Sequence, residues 1–337
     1  MSMEKKLDEV SFIRPILIIM LVFYHAFIIH GGGWETQIPG FEKIEILKWA
    51  DLLSYSFMLE TFVFVSGYIF YFQIVELNRN HSIWEIAQKK FIRLLLPCWV
   101  FSIIYVVAYG HNGNIFGTIY YIALGAGHLW FLPMLFWCFI FGVVFRRGVS
   151  LKILPFLIIA ALISYNPLPL RLNQVMYYFL FFYLGMLAYR YKDTFVRKMS
   201  NTTKLIIVLW IVFMILFVTG TLLNGQLRSI KANYTQLLTR VLIQMAINMV
   251  QILYSTMGLL SMYLTALLAV KKRTLRKEYV NFGNYCFAIY IFQQFILMYL
   301  YFHTSLYSMV GSFWLPFVGF VITMAFSYLL AKVSHSL

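Results

Sequence analysis

The chain has 337 residues, 62% of them hydrophobic and only 12% charged. Soluble domains carry about twice that charged fraction, so a soluble globule is excluded. The formal net charge of +15 does not point to nucleic acid, because the basic residues fall in short runs between apolar stretches and not along one amphipathic face.

At about 20 residues per crossing, apolar segments lie near 11 to 30, 54 to 75, 94 to 110, 127 to 145, 151 to 166, 173 to 190, 204 to 224, 248 to 270, 283 to 303 and 312 to 332. The expectation is an all-α polytopic membrane helix bundle of about ten transmembrane helices. It is expected to form a single domain over 1–337, with no appended soluble domain. The fifth segment is short and holds Pro155; its boundary with the sixth, at Pro167 and Pro169, is the least secure division. Ile115 to Leu124 reads as an interfacial piece and Tyr234 to Ile247 as an extension of helix eight. The first segment is too long for a cleavable signal, contains Arg14 and lacks a small-x-small cleavage site, so it is expected to be kept.

Lys and Arg in the short loops alternate. Arg79, Lys89, Lys90 and Arg93 follow helix two; Arg146, Arg147 and Lys152 follow helix four; Arg190, Lys192, Arg197, Lys198 and Lys204 follow helix six; Lys271, Lys272, Arg273, Arg276 and Lys277 follow helix eight. The intervening loops are poorer, with Lys43, Lys48, Arg171, Arg228 and Lys231. The positive-inside rule then puts both termini in the cytoplasm of a multi-pass protein of the cell membrane, with helix one running outward. Cys98, Cys138 and Cys286 sit in apolar stretches without metal-ligand spacing, so buried free thiols are expected and no metal site.

Within helix one, Arg14 and His25 are eleven residues apart. That spacing returns them to within about 20° of one helix face, roughly 16 Å apart along the axis. Ionisable groups inside a span are expensive and mark functional sites by default. The structural alternative is an Arg14 that reaches into headgroups and a His25 that is an interhelical donor. Their shared face favours function.

Four further stretches carry candidate residues: Glu60-Thr61-Phe62-Val63-Phe64-Val65-Ser66-Gly67 in helix two, Arg93-Leu94-Leu95-Leu96-Pro97 entering helix three, His128-Leu129-Trp130-Phe131-Leu132-Pro133 entering helix four, and Phe182-Tyr183-Leu184-Gly185 in helix six. With the Arg14 and His25 pair and the run from Gly283 to Tyr290, they resemble, in order, the landmarks of the membrane-bound acyltransferase family 3, whose members O-acylate bacterial surface and secreted glycans. Two departures stand out. The acid of helix two is Glu60 where the family pattern has Asp, and helix nine has Cys286 and Gln293 where the family often has Ser and His, so no catalytic duty is expected of helix nine.

The resemblance implies transfer of an acyl group, expected to be acetyl, from cytoplasmic acyl-CoA to a hydroxyl of a glycan or lipid-linked saccharide at the outer face. Acyl-CoA is then a substrate and not a resident cofactor, and membrane lipids, not nucleic acid, complete the partners. His25 is the expected base or nucleophile, since imidazole titrates near working pH. Glu60 is expected to orient its ring and stabilise the imidazolium. Arg14, a planar fork of donors, suits a phosphate or thioester carbonyl; Arg93 and Ser66 are assigned to the donor side, and His128 and Trp130 to the acceptor side. Each has a plainer reading: positive-inside anchoring for the basic runs, helix packing for Ser66 and Gly67, an interfacial belt for Trp130. Tyr120, Tyr121, Tyr177 and Tyr178 read as belt and core. The rival functions are an exporter or flippase of a polysaccharide or lipid-linked unit, expected to show paired broken helices in two related halves, and a non-catalytic scaffold.

Overall fold

A bilayer interior offers no water to the backbone, so segments this apolar satisfy their N–H and C=O groups by coiling. The computed structural model describes residues 7–34, 38–78, 82–110, 113–164, 168–194, 203–272 and 274–336, and among them there is no strand. The helices are α1 (Asp8–Gly31), α2 (Glu45–Val75), α3 (Ile83–Lys90), α4 (Leu96–Tyr109), α5 (Ile115–Ala123), α6 (Phe131–Phe145), α7 (Leu154–Leu162) and α8 (Leu172–Arg190). They continue with α9 (Thr203–Asn233), α10 (Leu237–Lys272), α11 (Lys277–Asn284), α12 (Cys286–Phe302) and α13 (Leu306–Ser336). Local signals explain several ends. Asp8 and Glu9 sit in the first turn of α1, which closes on Gly32 in the left-handed conformation with its N–H on the Ile28 carbonyl. Ser82 and Glu85 make a reciprocal capping box on α3.

Seven helical stretches among the described residues are long and apolar enough to cross a membrane: α1, α2, Ile83–Tyr109, Gly127–Gly148, α9, α10 and the bulk of α13. The pair α11 and α12, bent by 63°, would make an eighth. The chain is a multi-pass, all-α membrane protein. Helices form at all ten expected places, but among the described residues the count of ten crossings is not confirmed. The fifth stretch spans only Leu151–Leu162. Its end has a physical cause: the Asn248 side-chain amide donates to the carbonyls of Ala161 (3.2 Å) and Leu162 (3.1 Å) and to Ser164 Oγ, taking up acceptors that a continuing helix would use. The sixth, α8, has the length, yet Asn173, Gln174 and its tyrosines dilute its apolarity. As expected, α5 is a separate short helix with no buried residue, and Tyr234 to Ile247 joins α10 from Leu237 onward. The three cysteines are buried free thiols. Pro167 and the basic positions Arg79, Arg197, Lys198 and Arg273 lie outside the described residues.

Packing divides the chain into two compact units, with the division falling inside α2, α9 and α10. The first holds Met1–Leu59, Ser200–Phe213 and Met257–Leu337. In it α1 packs on α12 and α13. Helices α1 and α12 run in the same direction: Cys286 Sγ meets the Arg14 carbonyl at 3.6 Å near their starts, and the Tyr301 hydroxyl donates to the Ala26 carbonyl at 2.9 Å near their ends. Ala26, Phe27, Leu297, Tyr301 and Leu315 form a core around the second of these contacts.

The second unit holds Glu60–Met199 and Met214–Thr256. Its centre is the crossing of α2 with α8 at Gly67 and Gly185, flanked by Phe70, Phe139 and Phe182.

Candidate functional site

Helix α1 is unbroken through Arg14 and His25, so the eleven-residue spacing keeps both on one stripe in the first unit. His25 is buried at 8% exposure, and its Nδ1 lies 3.1 Å from the Leu21 carbonyl one turn back. A carbonyl only accepts, so Nδ1 carries the proton and the ring lone pair resides on Nε2. That is the tautomer a base requires. Arg14 is half-buried, and the Tyr279 hydroxyl, the Cys286 thiol and Gly283 gather around the adjoining Phe12 to Pro15 segment.

Sequence reasoning set helix nine aside; in the structure that helix carries a buried polar group. Gln293 on α12 is fully buried, and neither its amide oxygen nor its nitrogen has a hydrogen-bond partner among the described residues. It stands seven residues beyond Cys286, two turns up the side of α12 that meets α1, at a depth between Arg14 and His25. An unpaired buried amide costs about 1 to 3 kcal/mol. In the sequence it stands out only as a departure from the resemblance, a Gln inside an apolar run.

Glu60 belongs to the second unit. It is 2% exposed; Oε1 accepts from the hydroxyls of Tyr177 and Ser255, each at 3.3 Å, while Oε2 is sealed from solvent without a hydrogen bond. Two donors on one oxygen fix the carboxylate and leave the other oxygen to a ligand or a proton. Glu60→Gln keeps the shape and an oxygen for both hydroxyls. It is expected to fold like the wild type yet lose the acyl transfer that the resemblance implies by about tenfold or more, measured as label transferred per milligram of folded protein in membranes; a wild-type rate would remove Glu60 from that chemistry.

Other assigned residues of the second unit are placed as follows. Ser66 Oγ donates to the Phe62 carbonyl at 2.9 Å, within its own helix. Arg93 is exposed in the wide helical turn Phe91–Leu95 between α3 and α4. Its neighbour Lys90, counted above as a loop charge, sits with its ammonium 3.4 Å over the Phe139 ring. His128 is buried in the short turn Gly127–Trp130 ahead of α6, and Trp130 packs against Tyr178 with centroids 6.0 Å apart. That turn is pinned closely. Ser102 Oγ accepts from the Ala126 N–H at 2.9 Å and the Tyr121 hydroxyl from the Gly127 N–H at 2.8 Å. Gly125, at φ +87°, passes so close to the Leu129 carbonyl that a Cβ would lie 2.6 Å from it.

Arg171 was legible only as a sparse outer-loop charge. With Leu170 it adopts positive φ, 63° and 57°, which residues with side chains seldom hold. Its Nε is buried without a partner, and Tyr120, Tyr121 and Cys98 are near enough to interact with it electrostatically. Among the described residues no group of three His, Cys, Asp or Glu side chains is placed to hold a metal ion.

A family model described as an acyltransferase domain, Acyl_transf_3, matches residues 7–332. No curated protein and no solved structure matches the chain.

Proposed function

From the premise that this chain belongs to the acyltransferase family 3 and is a membrane acyltransferase, we propose that it moves an acetyl group from cytoplasmic acetyl-CoA to a hydroxyl of a glycan or lipid-linked saccharide at the outer face. The observation that carries the reading is the His25 ring, buried in a membrane span and held by the Leu21 carbonyl in the tautomer whose Nε2 accepts a proton. In the proposed reaction Nε2 takes the proton of the acceptor hydroxyl as its oxygen attacks the thioester carbonyl. The tetrahedral intermediate collapses, the carbon–sulfur bond breaks, and the imidazolium returns the proton to the departing thiolate.

Arg14 supplies a fixed positive fork to the donor's phosphates or thioester carbonyl. Gln293 supplies a neutral amide N–H of the kind that stabilises a developing oxyanion. Arg93 and Ser66 belong to the donor side of this proposal and His128 and Trp130 to the acceptor side, with both termini cytoplasmic and the protein in the cell membrane, as the loop charges favour. Glu60 is its carboxylate.

Inverted membrane vesicles given acetyl-labelled acetyl-CoA test the reading. Label is expected on the saccharide fraction, released by mild alkali as an ester. Saccharide that crosses the membrane with no label attached would instead favour an exporter.

A further inference from the structure

We propose that Asp51, with His30 and the stacked pair Tyr24 and Tyr55, forms the subsite that holds the acceptor saccharide by its hydroxyls, an inference that rests on the acyltransferase reading above. All four residues belong to the first unit, at the C-terminal end of α1 and the N-terminal third of α2. None of them is in a motif that the sequence singled out.

Asp51 is 3% exposed, and its Oδ1 is sealed from solvent without a hydrogen-bond donor. Its carboxylate rests on Gly31, so closely that a Cβ there would lie 2.4 Å from Oδ2. The preceding residue, His30, is 1% exposed. Its Nδ1 accepts the Ile44 N–H at 3.1 Å, which places the ring proton on Nε2. That N–H is buried too and makes no well-formed hydrogen bond, although the Ser312 main chain lies beside the ring. Asp51, from α2, therefore stands against Gly31, and His30 is the residue before it on α1: an acceptor and a donor at one helix end, both buried and neither in a well-formed hydrogen bond.

Four residues along α2 from Asp51, on the same face, Tyr55 stacks on Tyr24 with centroids 4.5 Å apart and 25° between planes. The Tyr24 ring in turn lies 4.9 Å from that of His25, and Tyr24 is within electrostatic reach of Asp51. The half-buried aromatic pair thus leads from the carboxylate to the base.

The chemistry of the group selects its occupant. An anion is repelled by Asp51, and an acyl chain leaves both polar atoms unpaired. A metal ion needs more ligands than one carboxylate and one imidazole, and no larger group is present among the described residues. A neutral saccharide satisfies all of it: each hydroxyl donates and accepts, and its C–H faces lie well on aromatic rings. A ring bound here presents a further hydroxyl toward His25.

The test uses membranes containing the full chain, acetyl-labelled acetyl-CoA, and as acceptor probe the saponified glycan of cells lacking this protein. Asp51→Asn is expected to raise the half-saturating glycan concentration about tenfold or more, with that of acetyl-CoA unchanged within about twofold. His30→Asn keeps an oxygen near the place of Nδ1 for the Ile44 N–H and deletes the Nε2 donor. It is expected to shift the glycan requirement about three- to tenfold in the same direction, and it decides the matter if Asp51→Asn does not fold. Folded variants with wild-type glycan requirements, or equal losses for donor and acceptor, overturn the subsite while leaving the enzyme intact. A wild-type protein that labels no glycan overturns the acyltransferase reading and this subsite with it.

Discussion

His25→Ala is expected to abolish acyl transfer, with a loss of about 10²- to 10⁴-fold, the usual contribution of a positioned general base. The argument begins with one hydrogen bond. Because Nδ1 is held by the Leu21 carbonyl, the other tautomer would set the Nδ1 lone pair against that carbonyl's oxygen, and Nε2 stays the basic atom. His25→Asn separates that function from the architecture. Its side-chain amide can still donate to Leu21, so the protein should be recovered folded and in normal amount, but it has no group that titrates near neutral pH. Both variants should be equally inactive in transfer of label from acetyl-CoA to saccharide. A His25→Asn protein that retains even a tenth of the wild-type rate would show that the imidazole is not the base, and would move attention to Glu60.

Much of this was legible in the residues themselves, for reasons that differ from one element to the next. The Arg14 and His25 stripe could be read because helical periodicity is fixed once a segment is known to cross a bilayer, and α1 is unbroken across both. The same logic failed for the fifth crossing. Its apolar run already read as short, and Asn248, some 86 residues away, takes the last carbonyls of α7; no local pattern announces a cap delivered from so far along the chain. Gln293 was set aside and Asp51 missed for another reason. A lone polar residue in an apolar run has no period, and its meaning lies in whether a partner meets it, which only three-dimensional packing decides. Glu60 shows both sides: its motif marked it, while Tyr177 and Ser255, the hydroxyls that hold it, carry no sequence signature.

The largest structural effect is expected at the crossing of α2 and α8. Gly67 and Gly185 face each other's helices reciprocally: a Cβ on Gly67 would lie 1.9 Å from the Phe182 carbonyl oxygen, and one on Gly185 would lie 2.0 Å from that of Phe64. These obstacles are main-chain atoms of two packed helices, so no side chain can swing aside to make room. Even alanine forces the helix axes apart by more than 1 Å, opening voids around Phe70, Phe139 and Phe182, where close contact and not hydrophobic expulsion drives association in lipid. Gly67→Ala and Gly185→Ala are each expected to cost about 3 kcal/mol or more, seen as loss of the monodisperse peak in detergent and a fall in unfolding temperature. Gly225 supplies the control, because it lies inside α9 with open space where its Cβ would be. There alanine is expected to stabilise by about 0.5 to 1 kcal/mol, through helix propensity alone. If all three substitutions moved stability in the same direction, the α2 and α8 crossing would not be the joint on which the second unit is built.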